Sequence, residues 1–237
     1  MNLFWVKYYN HISGLVDQVC RLLCKIPGFE SGKILMYHHV TDEYVNTLES
    51  CKCTVERFTE IILQFKNDGY RFITVDKLLE FIKQKSKERF VVITFDDATE
   101  DMFLNAYPIL KQMKIPFIVY VAIDFLNKDG FINEKQLEIL NNESFCTIGS
   151  HTISHPMLRY SKNAYEEIFQ SKLILEKKLG KSVDHFAYPY GKFGAVSLKN
   201  MRMAKNAGYK SAMGTVRSGV STRFKFCVWY LPRVVLK

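Results

Sequence analysis

The chain has 237 residues, 48% of them hydrophobic, enough for one domain with a full core, and a single α/β barrel commonly has this size. Its formal net charge of +9 favours anionic partners such as phospholipid, acidic glycan or nucleic acid; no nucleic-acid partner is expected, because the basic residues are scattered and no RNA or DNA motif accompanies them. No apolar run approaches the roughly 20 residues that span a bilayer, no signal-peptide core stands at the N-terminus, and the six cysteines lack the spacing of a disulfide framework or zinc ribbon, which together point to the cytoplasmic side.

Residues 4–26 set Trp5, Tyr8, Ile12, Leu15, Val19, Leu22 and Ile26 at helical spacing, with Pro27-Gly28 as the stop. This amphipathic helix either packs on the rest of the protein or makes a peripheral contact with the inner face of the membrane. Residues 1–30 are accordingly set apart from a domain over 31–237. Lys33 to Val40 reads as a strand ending in two histidines, and Thr54 opens a helix closed by Gly69. Arg71 to Val75 reads as a strand, with Asp76 capping the helix that follows. Phe90 to Asp97 is an apolar, β-rich strand that stops on two acids, followed by a helix from near Glu100 to Met113 and a strand over 116–123. Further along lie a short helix over 134–140, a strand before His151, a long helix over 163–179, a strand over 183–188, a helix over 198–207, an extended stretch over 209–213 and a last strand over 226–235. Strands alternating with helices predict a mostly parallel sheet.

Three stretches carry chemistry. In TFDD, Asp96 and Asp97 cannot remain unpaired inside a buried strand, so they belong at its C-terminal mouth, and they serve one site only if the chain turns out of the strand there. The competing reading makes Asp97 or Thr99 a helix cap. In HTISHP, His151 and His155 stand four residues apart, which puts two imidazoles on one side of a turn or tight loop; with Asp97 they make a two-histidine, one-carboxylate set suited to a divalent metal. In FAYPYG, Pro189 and Gly191 punctuate a turn that aims a backbone N–H into a site walled by Tyr188 and Tyr190.

Together TFDD, HTISHP and FAYPYG resemble the polysaccharide deacetylases, the NodB-type domain of carbohydrate esterase family 4, over about Ile34 to the C-terminus. The resemblance implies an α/β fold, a distorted (β/α) barrel, here with the extra N-terminal amphipathic helix. It implies a hydrolase that removes acetyl groups from an N-acetylated sugar or polysaccharide by attack of metal-bound water, with Zn2+ as the expected cofactor and Co2+ or Ni2+ as substitutes. Asp96 then matches the base, Asp97, His151 and His155 the metal ligands, and the backbone N–H of Tyr190 an oxyanion donor. The histidine that usually stands near the family's C-terminus is missing, and Met36-Tyr37-His38 resembles its motif from the first strand, as in the permuted poly-N-acetylglucosamine deacetylase branch. His38 is therefore the expected acid, with His39 in reserve. Ala187 stands where many members carry an arginine, for which Arg233 is the expected substitute. The alternative function is a non-catalytic carbohydrate-binding or scaffold protein that retains the barrel.

Overall fold

A computed structural model describes residues 31–45, 51–222 and 228–236. The expected helix over 4–26, with any membrane contact it makes, lies outside the described residues, as do Cys20, Cys24 and Cys227. No helix among the described residues is long and apolar enough to cross a membrane.

Seven strands form one parallel sheet. In chain order they are β1 (Gly32–Tyr37), β4 (Arg71–Phe72), β5 (Phe90–Asp96), β6 (Phe117–Val121), β7 (Cys146–Ser150), β8 (His185–Ala187) and β9 (Ser211–Met213); β2 (His39–Val40) and β3 (Lys52–Cys53) pair separately. The lateral order is β1-β5-β6-β7-β8-β9, with β4 beside the start of β5. Parallel neighbours require long crossovers. These are supplied by α1 (Val55–Asn67), α2 (Val75–Gln84), α3 (Tyr107–Met113), α4 (Glu134–Asn142), α5 (Ala164–Leu179) and α6 (Leu198–Asn206). Most expected elements are present in kind, but the expected strand over 33–40 breaks at His38 into β1 and β2, β3 has no expected counterpart, and three further differences have local causes. Thr74 rather than Asp76 caps α2, its hydroxyl accepting from the Lys77 N–H, because the strand before it ends at Phe72. A π-helical turn over Met102–Ala106 interrupts the expected helix ahead of α3. The expected last strand is present only as single parallel bridges, Met213 with Leu231 and Val234 with Leu35.

Those two bridges shape the molecule. The terminal segment touches β9 through Leu231 and β1 through Val234, joining the two sheet edges and curling the sheet into a distorted barrel. Period-two alternation then sorts side chains. On β5, Val91, Ile93 and Phe95 pack under the helices, while Phe90 and Val92 belong to a second cluster inside the barrel with Ile34, Ile118, Tyr120 and Leu231. The interior row of β5 continues through Thr94 to Asp96, so the acid points inward by register. By the same count His38 continues the interior row of β1, and His151 that of β7. All of them lie at the C-terminal ends of parallel strands, where barrels of this kind place their sites.

Candidate functional site

A cavity of about 420 Å³ opens at this mouth, lined among others by His38, His39, Asp96, Asp97, His151, His155, Tyr190 and Arg233. At its base Asp96 and Arg233, both buried, form a bidentate pair at 2.6 and 2.7 Å. Arg233 also donates to Thr94 Oγ1 (3.2 Å) and the Gly214 carbonyl (2.9 Å), so the guanidinium is locked in place. Burial pushes the Asp96 carboxyl up, but Arg233, with smaller help from His151 and His38, holds it well below the ordinary carboxylate range. Ala187 faces the interior at the expected arginine position, and the guanidinium arrives from the terminal segment across the closure instead.

Asp97 would point away from Asp96 if β5 continued. It does not, because Asp97 (φ 68°) and Ala98 (φ 57°) take left-handed conformations that turn the chain and return Asp97 to the same cavity. This geometry costs an alanine on the order of 1 kcal/mol. It also disposes of the capping alternative: Asp97 faces the histidines, and Thr99 Oγ1 donates to the His38 carbonyl at 2.8 Å, fastening β5 to the end of β1.

Asp97 Oδ1 lies 3.5 Å from His151 Nε2 and 3.4 Å from His155 Nε2, and one ligand atom from each residue falls within 4.8 Å of the others. His151 Nδ1 lies 2.8 Å from the Ala187 carbonyl, which as an acceptor requires the proton on Nδ1 and leaves the Nε2 lone pair free. Both His151 Nε2 and Asp97 Oδ1 are buried without a hydrogen-bond partner. Burial lowers His151 to a pKa of about 3 and lowers His155, so both rings are neutral near pH 7. Burial and the neighbouring Asp96 push Asp97 up to about 7. Convergent, unsatisfied and neutral-imidazole donors fit a divalent ion, which would satisfy the orphaned atoms and displace the Asp97 proton.

The second histidine reaches this point through a strained loop, with Thr152 at φ 74° and His155 at φ 58°. Glu167, in the first turn of α5, clamps that loop by accepting from the N–H groups of Ile153 (2.9 Å) and Ser154 (3.0 Å) and from the Ser154 hydroxyl (2.6 Å). An acid at that place reads in the sequence only as a favourable helix-start charge. The loop brings His155 against the rings of Phe125 and Tyr190, at 5.5 and 5.0 Å.

Tyr190 (φ 61°) sits at the rim, and among the described residues its backbone N–H has no hydrogen-bond acceptor. Gly191 is required beside it, since it has φ 56° and a Cβ there would stand 2.4 Å from Thr215 Cγ2. Tyr188 does not wall the cavity as expected. Alternation along β8 puts Phe186 and Tyr188 on the helix-facing side and Ala187 inside, and the Tyr188 hydroxyl donates to the Trp229 carbonyl at 2.9 Å.

His38 Nε2 stands 3.9 Å from Asp96 Oδ2, and Nδ1 is buried without a partner. Burial lowers its pKa, Asp96 opposes the shift, and Arg233, His39 and His155 reinforce it. His39 also lines the cavity, but its Nδ1 contacts both oxygens of Asp101 at 3.2 Å. Asp101 had no marker in the sequence, because the π-helical turn that follows it is not visible in an apolar periodicity.

A family model described as polysaccharide deacetylase matches residues 83–212. A poly-beta-1,6-N-acetyl-D-glucosamine N-deacetylase of Staphylococcus aureus is 28% identical over 198 residues, covering 76% of this chain and 66% of that relative, so the chain spans just under two thirds of its length. A Bacillus cereus polysaccharide deacetylase superposes with a TM-score of 0.75 at 24% identity, over 86% of this chain and 64% of that one. IcaB from Ammonifex degensii gives a TM-score of 0.74 at 20% identity, over 88% and 92%. With more than half of its length matched and the barrel in common with these structures, the chain belongs to the polysaccharide deacetylase family.

Proposed function

We propose that this protein is a metal-dependent hydrolase that removes acetyl groups from an N-acetylated sugar polymer, with a β-1,6-linked N-acetylglucosamine chain as the first substrate to try. The observation that carries this reading is the joint geometry of two groups in one cavity: Asp97, His151 and His155 converging with orphaned atoms, beside an Asp96 locked by Arg233. The supporting similarity is to N-deacetylases by name.

In this reading Asp97, His151 and His155 hold the ion, most readily Zn2+, with Co2+ or Ni2+ as substitutes. When bound, the ion supplies Lewis acidity toward the acetyl carbonyl and makes water a nucleophile near neutral pH. Asp96 takes up the proton of the attacking water. Arg233 makes that carboxyl a weak base that keeps a proton only briefly, and His38, 3.9 Å away, is placed to receive it. A neutral His38 can accept the proton and then deliver it to the leaving nitrogen, whose expulsion requires it. The Tyr190 N–H at the rim is positioned by its turn to donate to the developing oxyanion.

The test is acetate release from N-acetylglucosamine oligomers by the Zn2+-loaded protein. Asp96→Asn should lower the rate by roughly 10²–10⁴-fold with the metal still bound. Metal loss in Asp96→Asn would show that the two acids have exchanged roles. Binding of glycan and metal without acetate release would establish the non-catalytic alternative.

A further inference from the structure

His39 lines the cavity, yet the chemistry proposed above gives it nothing to do. Its ring is held from one side. Nδ1 lies 3.2 Å from each carboxylate oxygen of Asp101, a residue outside the cavity lining, and because a carboxylate only accepts, the proton of the neutral ring sits on Nδ1. The backbone around the ring is fixed as well. The His38 and Val40 carbonyls on either side accept from Thr99 Oγ1 and Asn105 Nδ2, both at 2.8 Å, and His39 itself stands opposite Lys52 in the short β2–β3 ladder. Thr99, Asp101 and Asn105 all come from the segment between β5 and α3, so one stretch of chain orients both the ring and its strand.

The other edge of the ring is unclaimed. Among the described residues Asp101 is the only hydrogen-bond or ion-pair partner of the His39 side chain. Nε2 has no partner there and, unlike His38 Nδ1 and His151 Nε2, is not closed off from solvent. His151 shows the same device, one ring nitrogen tied and the other presented, but two uses of it do not apply to His39. It is not one of the donors that converge among the described residues on the candidate metal position, and it makes no contact with Asp96 of the kind that His38 makes at 3.9 Å. What remains is a fixed acceptor on the wall of a cavity. The Nε2 lone pair of the neutral ring takes a hydrogen bond from a ligand, and the donors that a neutral glycan carries in number are its hydroxyls.

We propose that His39, positioned by Asp101, accepts a hydrogen bond from one sugar hydroxyl of the bound glycan and so sets how the sugar lies across the site. The inference rests on the deacetylase reading for its class of ligand and adds a requirement to it: one particular hydroxyl must be present and free. A glycan that covers Nε2 without donating to it strips water from the acceptor and leaves it unpaired, which is the basis of the discrimination.

The experiment uses N-acetylglucosamine oligomers in which one hydroxyl at a time is replaced by hydrogen. Their equilibrium binding is measured on the Zn2+-loaded full chain carrying Asp96→Asn, so that the oligomers are not consumed, and acetate release is measured on the unaltered chain. One deoxy oligomer should bind roughly five- to tenfold more weakly than the parent. His39→Phe, which keeps a flat ring and removes both nitrogens, should weaken the parent by a similar factor, leave that deoxy oligomer as it was, and keep stoichiometric Zn2+. Asp101→Ala, which frees the ring, should narrow the difference several-fold, and Asp101→Asn, whose amide oxygen still accepts from Nδ1–H, should restore most of it. Equal binding of the whole series, a difference that survives His39→Phe, or uniform weakening of every oligomer by that variant overturns the proposal. Acetate release separates the two ideas: a hydroxyl preference without release keeps the contact and removes the deacetylase reading, and release without preference does the reverse.

Discussion

His151, just beyond β7, and His185, at the start of β8, are both buried, both engage Nδ1 in a hydrogen bond, and both hold Nε2 3.5 Å from an aspartate oxygen. What differs is the company. His151 lies at the mouth, where Asp97 faces a second imidazole and a cavity. His185 lies at the opposite end of the barrel, bonded to the Ser211 hydroxyl at 2.9 Å and facing an Asp76 that is 58% exposed, with no third ligand beside it among the described residues. A buried histidine facing an aspartate is therefore a poor marker of function in this fold. Convergence of a third donor on an open cavity is the feature that separates a candidate metal centre from a structural contact.

The largest effect expected from this comparison comes from removing each histidine in turn. His151→Ala should lose stoichiometric Zn2+ and with it hydrolysis, whereas His185→Ala should keep Zn2+ and lose about 2–4 kcal/mol of stability to the cavity left behind. Elemental analysis and thermal unfolding of the two purified variants check this, and metal retained by His151→Ala would break the distinction. Next in size is Arg233→Met, which strands a buried carboxylate; it should cost about 3–5 kcal/mol in denaturant unfolding, unless Asp96 is neutralised in the same chain by Asp96→Asn, which should recover much of the loss.

A smaller effect concerns protons. In the metal-free site Asp97 titrates near 7, while burial holds His151 at about 3 and lowers His155 from its ordinary value, so near pH 7 and above the proton that an incoming ion displaces comes from the carboxyl. Zn2+ affinity should rise as pH climbs to 7 and flatten above it, with about half a proton released per ion at pH 7 and close to none at pH 8. Calorimetric titration in buffers of different ionisation enthalpy reads this directly, and pH-independent affinity between 6 and 7 would rule it out.

The smallest effect belongs to the other end of the barrel. The contact with His185 holds the Asp76 carboxyl below its ordinary value of 3.8, so it stabilises the fold above that range and is lost as pH falls below it. Because the carboxylate is mostly in solvent, Asp76→Asn should cost less than about 1 kcal/mol and leave Zn2+ binding unchanged. A larger loss would mean that this pair is more than a surface contact.

Much of the site could be read from order along the chain, because each motif falls at the end of an apolar strand and parallel strands deliver their ends to one side. Tyr188 shows where that reading fails: its motif is right, but period-two alternation in β8 turns its ring under the helices and leaves Ala187 facing in. Which face a strand residue takes depends on which side the sheet curls toward, and no local pattern states it for a strand buried on both faces. Glu167 and Asp101 were missed for a related reason, since each acts on residues distant in the chain, Glu167 on the His155 loop and Asp101 on His39.

By itself the sequence determined the alternation of strands and helices, through apolar runs and caps, and the identity of the two acids and two histidines, whose types and spacing suit a divalent ion. Only the tertiary structure decided that the four belong together. The left-handed turn at Asp97 and Ala98 swings the second acid into the cavity, and Glu167 holds the His155 loop against it. Closure of the sheet by Leu231 and Val234 places Arg233 against Asp96, 137 residues away in the chain, and sets β1 with His38 beside them. Local propensity acts over a few residues, whereas these contacts exist only once a curled sheet has joined its two edges, so no shorter stretch of the chain could specify them.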